Sequence, residues 1–294
     1  MEQQIDNAIP ETTPVARAHP QPKRLRLLRK SPAAMLGVAI LIFWGVMAVF
    51  GQQIAPYGIN ESEAGAVWQV PSAAHIMGTD NLGRDVFSRL IIASQTMMVL
   101  PPLAVGLSMI LGTSIGLITG YRSGWFDEIV MRFMDVMMAF PVVMLYLLII
   151  VAFGQSAVTV VLAVAVANTP AISRLARGLV LDLRSREFVA AARMRGESTF
   201  YILFREILPN ATGPILIDGL VRIGYAAFAI GALGFLGLGV PPPNPDWGRM
   251  AAEGRQAIIL TPTAALFPAL AIGSLVIAFN LIADGLTAAA KSED

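Results

Sequence analysis

The sequence predicts an all-α polytopic membrane protein with six transmembrane helices and both termini in the cytoplasm. Of its 294 residues, 55% are hydrophobic and only 14% charged, with a mean hydropathy of +0.66. That is not the composition of a water-facing domain. Six apolar runs follow one another along the chain. Each approaches the roughly 20 residues that a helix rising 1.5 Å per residue needs to cross about 30 Å of hydrocarbon. The basic residues are divided unequally between the two sets of connections, which orients the bundle.

The first 32 residues are polar and proline-containing, and end in Lys23-Arg24-Leu25-Arg26-Leu27-Leu28-Arg29-Lys30, a cytoplasmic tail with a basic interfacial end. The run Ala33–Phe50 follows too long a basic region for a signal peptide, and Val49-Phe50-Gly51 offers no small-x-small cleavage site, so it reads as an uncleaved first span. The next spans are Leu90–Thr119, Phe126–Phe153, Ala157–Ser173, Ala211–Leu236 and Thr263–Ala283. Pro101, Pro102, Pro141, Pro170 and several glycines fall inside these runs. Neighbouring helices can re-satisfy freed backbone groups and small residues permit close packing, so these positions mark kinks or contacts.

One set of connections holds Arg17, the five basic residues of the tail's end, Arg122, Arg132, Arg174, Arg177, Arg184, Arg186, Arg193, Arg195, Arg205 and Lys291. The other holds Arg84, Arg89, Arg249 and Arg255. Sixteen against four places both termini and the Arg174–Arg205 connection in the cytoplasm.

Several chemistries are excluded. Lys23, Lys30 and Lys291 are the only lysines, and none follows the glycine spacing of a phosphate loop, so this chain does not bind ATP in that way. With no cysteine, neither a disulfide nor a thiolate site can form. The isolated His19 and His75 read as surface histidines, and no metal site is expected. Met131, Met134, Met137 and Met138 read as core packing of the third span. A net charge of +1 gives no reason to expect a nucleic-acid partner.

The informative connection is Leu181–Asn210. Glu187–Met194 favours a short helix, Gly196 can end it in a left-handed cap, and a second amphipathic helix, with Phe200, Leu203 and Phe204 on one side, runs to a stop at Pro209. Two short helices pinned beneath a bundle form a rigid lever for a partner's groove, or rest on lipid. Ala191-Ala192, Gly196 and Leu208-Pro209 resemble the E-A-A-x3-G-x9-I-x-L-P loop of bacterial ATP-binding-cassette importer permeases. Ala190 stands at the usual glutamate, with Glu187 three residues earlier, and Glu206 stands at the usual isoleucine.

Three further segments narrow the resemblance to the C-type permeases of dipeptide, oligopeptide and nickel importers. Gly78-Thr79-Asp80-Asn81-Leu82-Gly83-Arg84-Asp85 is similar to their G-T-D-x-x-G-R-D signature. Gly124-Trp125-Phe126-Asp127-Glu128 with Met131-Arg132, Asp135 and Phe140-Pro141 resembles a second. Phe235-Leu236-Gly237-Leu238-Gly239 with Pro241, Pro242, Pro245, Trp247 and Gly248 resembles a third. The loop containing Asp80, Gly83, Arg84 and Asp85 reads as one that holds its own shape. The Pro241–Trp247 turn reads either as a contact for a solute-binding protein or as a stiff turn with Trp247 as interfacial anchor. Arg132 and Asp135 read as an i,i+3 ion pair.

The resemblance implies a type I importer permease fold in three parts: a tail (1–32), a first transmembrane helix with a periplasmic loop (33–89), and a permease core (90–290) containing the coupling loop 181–210. Its implied partners are a homologous second permease, two ATPase subunits holding ATP and Mg, and a periplasmic solute-binding protein, in the inner membrane. Glu187, Ala191, Ala192, Gly196, Phe200, Phe204, Leu208 and Pro209 would couple to the ATPase. No cofactor is expected on this chain.

Asp218 and Arg222 stand i,i+4 inside the fifth run. A span starting after Pro209 puts Arg222 about 20 Å deep, a candidate pathway position. A span starting at Ile223 leaves both charges at the interface. Asp135, Asp218, Arg222 and Asp284 would serve a rival class, the ion-coupled stand-alone transporter.

Overall fold

The computed structural model describes residues 31–63 and 65–291. The basic run of the tail and His19 lie outside them. Regular structure among the described residues is helical, and the strand-like pairings are two isolated bridges, Ser62 with Arg84 and Thr79 with Asp85.

Helix α1 (Pro32–Ile54) starts where the Ser31 hydroxyl accepts the Ala34 N–H at 3.3 Å, with Pro32 at the first helical position. Helix α2 (Val86–Arg122) starts where Asp85 accepts the Ser88 N–H at 2.7 Å. The third run is not one helix. It divides into α3 (Trp125–Ala139) and α4 (Val142–Phe153), which meet at 94°. Pro141 lacks the N–H that would continue α3 and holds Phe140 in an extended conformation, φ −73° and ψ 139°. Helix α5 (Ala157–Leu183), capped by Ser156, continues well past Ser173. Helix α6 (Glu187–Met194) occupies the residues predicted for it.

The helix after α6 does not stop at Pro209. A turn at Thr199–Tyr201 leads into a π-helical segment, Ile202–Ile207, and then α7 (Leu208–Phe235), so Thr199–Phe235 is one continuous helical span. Pro209 falls in the first turn of α7, where its missing N–H is tolerated, and the wider upstream turn is closed by Leu208 N–H bonding to Leu203 C=O. After α8 (Trp247–Gly254), α9 (Thr263–Lys291) completes the chain.

Packing fixes how many times the chain crosses. A Cβ added at Gly112 would stand 2.7 Å from Ile172 Cβ, at Gly116 2.6 Å from Ala176 Cβ, and at Gly120 2.9 Å from Val180 Cβ. Both series ascend together, so α2 and α5 are parallel and touch backbone to backbone along a glycine stripe. Parallel neighbours require the intervening α3 and α4 to carry the chain back across the bundle. The bent pair is therefore the sixth crossing, beside five helices that are individually long and apolar enough to span.

Helix α1 runs antiparallel to α9. Gly37 lies against Ala278 C=O, 2.7 Å from where its Cβ would be, and Trp44 Nε1 donates to Ser274 Oγ at 2.8 Å. Farther along α1, Gly51 meets the Ile91 carbonyl. The start of α1, the end of α9 and α6 thus share one end of the bundle, called the inner end below. The outer end carries residues 55–63, 65–85 and 236–262. Trp44, Met97, Val105, Val160, Ile230 and Leu275 form the core between them.

Candidate functional site

At the inner end, α6 and the π-helical segment form a hairpin bonded into the bundle. Val189 and Ala192 from α6 pack with Ile202, Leu203 and Ile207 against Leu117 of α2 and Val180 of α5, and all seven are buried. Gly196 makes the turn at φ 76°. Its N–H donates to Arg193 C=O at 3.0 Å and the Glu197 N–H to Ala192 C=O at 3.2 Å, the paired bonds of a left-handed helix cap. The Ser198 hydroxyl then caps the next helix by accepting the Tyr201 N–H at 3.2 Å. Glu206 reaches back to Arg195 at 3.2 Å, tying the two arms. Glu206, one of the two residues that depart from the resembling motif, is thus a brace.

The outward surface of the hairpin carries an apolar patch among the exposed Arg193, Arg195 and Arg205. Met194 is 85% exposed, and the Phe200 and Phe204 rings, both exposed, stack with centroids 4.4 Å apart. Leu203 does not share their face, because the π-helical turn rotates it into the body. Of the residues read from sequence, Glu187, Gly196, Phe200, Phe204 and Pro209 are exposed, and Ala191 and Leu208 half-buried. Ala192 is buried and supports the hairpin from within. Met194 is not among the residues read from sequence; the signal for it is an apolar residue standing between Arg193 and Arg195 at the end of a short helix.

In mid-bundle, Arg222 Nε bonds to Asp218 Oδ2, and Arg222 Nη2 approaches Asp218 Oδ1 at 3.3 Å. Helix α7 begins at Leu208, not Ile223, and the pair straddles its midpoint. Gly219 abuts Met109 of α2 and Gly224 abuts Val276 and Phe279 of α9, all mid-helix positions. The Arg222 side chain is 19% and that of Asp218 30% exposed, so the pair opens sideways from the bundle. Tyr225 and Phe228, both exposed, continue that opening toward the outer end.

The outer end is braced by charge. Asp80 Oδ1 accepts the N–H groups of Leu82 and Arg84 at 2.8 and 3.0 Å, while Oδ2 accepts Arg84 Nε at 2.7 Å and pairs with Arg89. Glu253 of α8 receives both arginines, at 3.3 and 3.5 Å. Gly83 turns at φ 72°, and Asp85 caps α2 while its other oxygen meets His75 Nδ1 at 3.0 Å. His75 is therefore buried between Asp85 and Tyr57, not a surface histidine. Trp247 is also buried, at 0% exposure: Nε1 donates to Leu90 C=O at 2.8 Å and the ring packs edge-on against Trp44. It is neither an interfacial anchor nor an accessible contact, since α8 folds it down onto α2. In the turn before it, Pro241 is half-buried and Pro242 exposed.

The 124–135 segment also differs from expectation. Asp135 pairs with Arg174 of α5, not with Arg132, and Asp127 receives Arg177 through two bonds of 2.6 Å. Tertiary contact to α5 prevails over the local i,i+3 spacing. Of the four methionines, Met134 is buried but Met138 is exposed, so they do not form one core stripe. Among the described residues no group of three or more histidine or acidic side chains is placed to hold a metal ion.

Residues 112–291 match the family model of the binding-protein-dependent transport system inner membrane component, and residues 24–71 that of the N-terminal TM domain of oligopeptide transport permease C. The chain is 38% identical over 262 residues to the glutathione transport system permease protein GsiD of Pectobacterium atrosepticum, covering 89% of this chain and 87% of that protein. It is 35% identical over 280 residues to the dipeptide transport system permease protein DppC of Alkalihalophilus pseudofirmus, covering 95% and 92%. To GsiD of Escherichia coli O157:H7 it is 38% identical over 285 residues, covering 97% and 94%.

Proposed function

This chain belongs to the binding-protein-dependent transport inner membrane components, as a multi-pass permease of the bacterial inner membrane in the peptide importer family, and we propose that it passes small peptides inward, driven by ATPase subunits docked on its 187–207 hairpin. The hairpin carries the proposal: the stacked Phe200 and Phe204 point away from the bundle while the other side of the same turn is buried in it. Because the helix continues from Thr199 to Phe235, displacement of that aromatic pair moves α7 and the Asp218–Arg222 pair with it. Glu187, Gly196 and Pro209 border the docking surface, and Ala191, Ala192 and Leu208 shape it from below.

In this reading the inner end faces the cytoplasm, in keeping with the excess of basic residues on that side. A homologous second permease covers the exposed side of α4 and α7, and a periplasmic binding protein delivers solute to the outer end. ATP and Mg are held by the ATPase subunits. Closure of those subunits moves the hairpins, and the pair of permeases alternates between two arrangements. Two relatives are named for glutathione and dipeptides; glutathione is itself a tripeptide, so the small-peptide class covers both.

The test is the double variant Phe200→Ala with Phe204→Ala. Both rings are exposed, so membrane abundance should equal the parent's. ATPase recovered with the tagged permease should fall about 30-fold, the loss that truncating an anchor worth about 2 kcal/mol produces. Undiminished recovery would remove the hairpin as docking site.

A further inference from the structure

Helix α3 carries a surface that the proposed function leaves unassigned. Trp125, Ile129, Phe133 and Val136 are 74, 58, 61 and 56% exposed. At 100° per residue they fall within an arc of about 80°. The opposite side holds Asp127 and Met134, both buried. Arg132 projects at the edge of the apolar arc, exposed and without an ion-pair partner among the described residues, and Arg122 lies 6.0 Å over the Phe126 ring at the start of the helix.

The orientation of α3 follows from its clamps. From Asp127 to Asp135 a helix advances about 12 Å, whereas their partners Arg177 and Arg174 lie only about 4.5 Å apart along α5. Helix α3 therefore runs steeply across α5, and the 94° bend at Pro141 turns α4 into the crossing direction. The level of this crossing is set by α5, whose apolar stretch from Ala157 gives way to Arg174 and Arg177, where about 30 Å of hydrocarbon comes to an end. A helix lying across the bundle at that level, apolar on its outward side and edged by arginine, has the form of an interfacial helix.

We propose that α3 lies in the membrane surface at the inner end, with Trp125, Ile129, Phe133 and Val136 sunk among acyl chains and Arg132 holding the phosphate of an anionic lipid. The commitment to lipid rests on level and charge. A protein partner docking from the aqueous side would meet the hairpin end of the bundle, whereas this stripe faces sideways at the hydrocarbon boundary. Its unpaired arginine suits a phosphate. Of the acidic residues of α3, Asp127 and Asp135 are bound to arginines of α5, while the exposed Glu128 borders the cavity between the helices together with Trp125 and Arg132, whose guanidinium has no ion-pair partner among the described residues.

The chain has no cysteine, which makes the test direct. A bimane label is attached through Ile129→Cys in the complete complex, assembled with cysteine-free partner subunits. The complex is reconstituted in vesicles of phosphatidylethanolamine and phosphatidylglycerol at 3:1 in which either lipid is brominated. At equal mole fraction, brominated phosphatidylglycerol should quench the label more, reflecting an enrichment of about fivefold beside one arginine at the surface. Arg132→Gln should equalise the two lipids, and a label attached through Glu128→Cys should be quenched instead by aqueous iodide. Absence of bromine quenching at Ile129→Cys, with iodide also excluded, would mean that protein covers the stripe and would overturn the proposal. Iodide quenching there would do the same, by showing the stripe in water. Equal quenching by both brominated lipids in the parent would overturn the assignment of Arg132.

Discussion

Asp246 is a buried carboxyl whose two oxygens differ. Oδ1 accepts the Arg249 N–H at 2.9 Å and starts α8, whereas Oδ2 has no hydrogen-bond partner among the described residues. Burial holds its pKa above the usual carboxylate range. A group that binds its proton more tightly folded than unfolded makes stability fall as pH rises from about 4 through the folded value. Asp246→Asn keeps the cap and removes the charge. Its thermal midpoint at pH 7 should equal or exceed the parent's, with a flatter decline above pH 4; a clear loss at pH 7 would mean that the ionised form is needed. The Asp218–Arg222 pair makes the opposite demand. Truncating one partner strands a charge costing about 2.5–3.5 kcal/mol at mid-bilayer, so Asp218→Ala and Arg222→Ala should each lower membrane abundance severalfold. The double alanine variant should recover abundance without recovering uptake. Single variants indistinguishable from the parent would remove the pair from the pathway.

At the scale of elements, the α2–α5 contact depends on three glycines one helical turn apart. Gly116→Leu should push the helices apart and cost about 1–3 kcal/mol or more, seen as lost monodisperse protein on size-exclusion chromatography. Gly106→Ala, facing open space, should be silent. Gly196→Pro should leave abundance intact and lower uptake while basal ATP hydrolysis persists, because proline can neither adopt φ 76° nor supply the N–H given to Arg193. Hydropathy made the long helices legible, since length and apolar content suffice to mark a span. Pro141 marks a kink or contact in the sequence, but hydropathy gives no measure of the bend, because the residues on both sides stay apolar, and only the parallel packing of α2 against α5 shows what the break accomplishes. The cap at Gly196 was readable because left-handed backbone is a local demand. Pro209 misled because an isolated proline says nothing of the π-helical turn before it.

The whole molecule places its candidate site where sequence and packing meet. The hairpin could be found from local signals, whereas the sorting of its side chains into an outward aromatic pair and an inward supporting set needed the body beneath it. Likewise a tryptophan after a proline-rich turn reads as an interfacial anchor or a partner contact, and only the enclosure by Leu90 and Trp44 makes Trp247 a core residue. The packing puts the start of α1, the hairpin and the end of α9 together, so one reporter on each side tests the orientation of all six crossings. Fusions after Arg195 should be active only as cytoplasmic reporters and fusions after Pro243 only as exported ones; exchanged activities would invert the molecule in the membrane.

The most direct test is uptake of a labelled dipeptide into vesicles containing this permease, its homologous partner, the ATPases and the solute-binding protein. The account predicts uptake that requires ATP and stops when the ATPases are omitted, whatever ion gradient is imposed. Uptake by this chain alone, driven by a proton or sodium gradient, would contradict it.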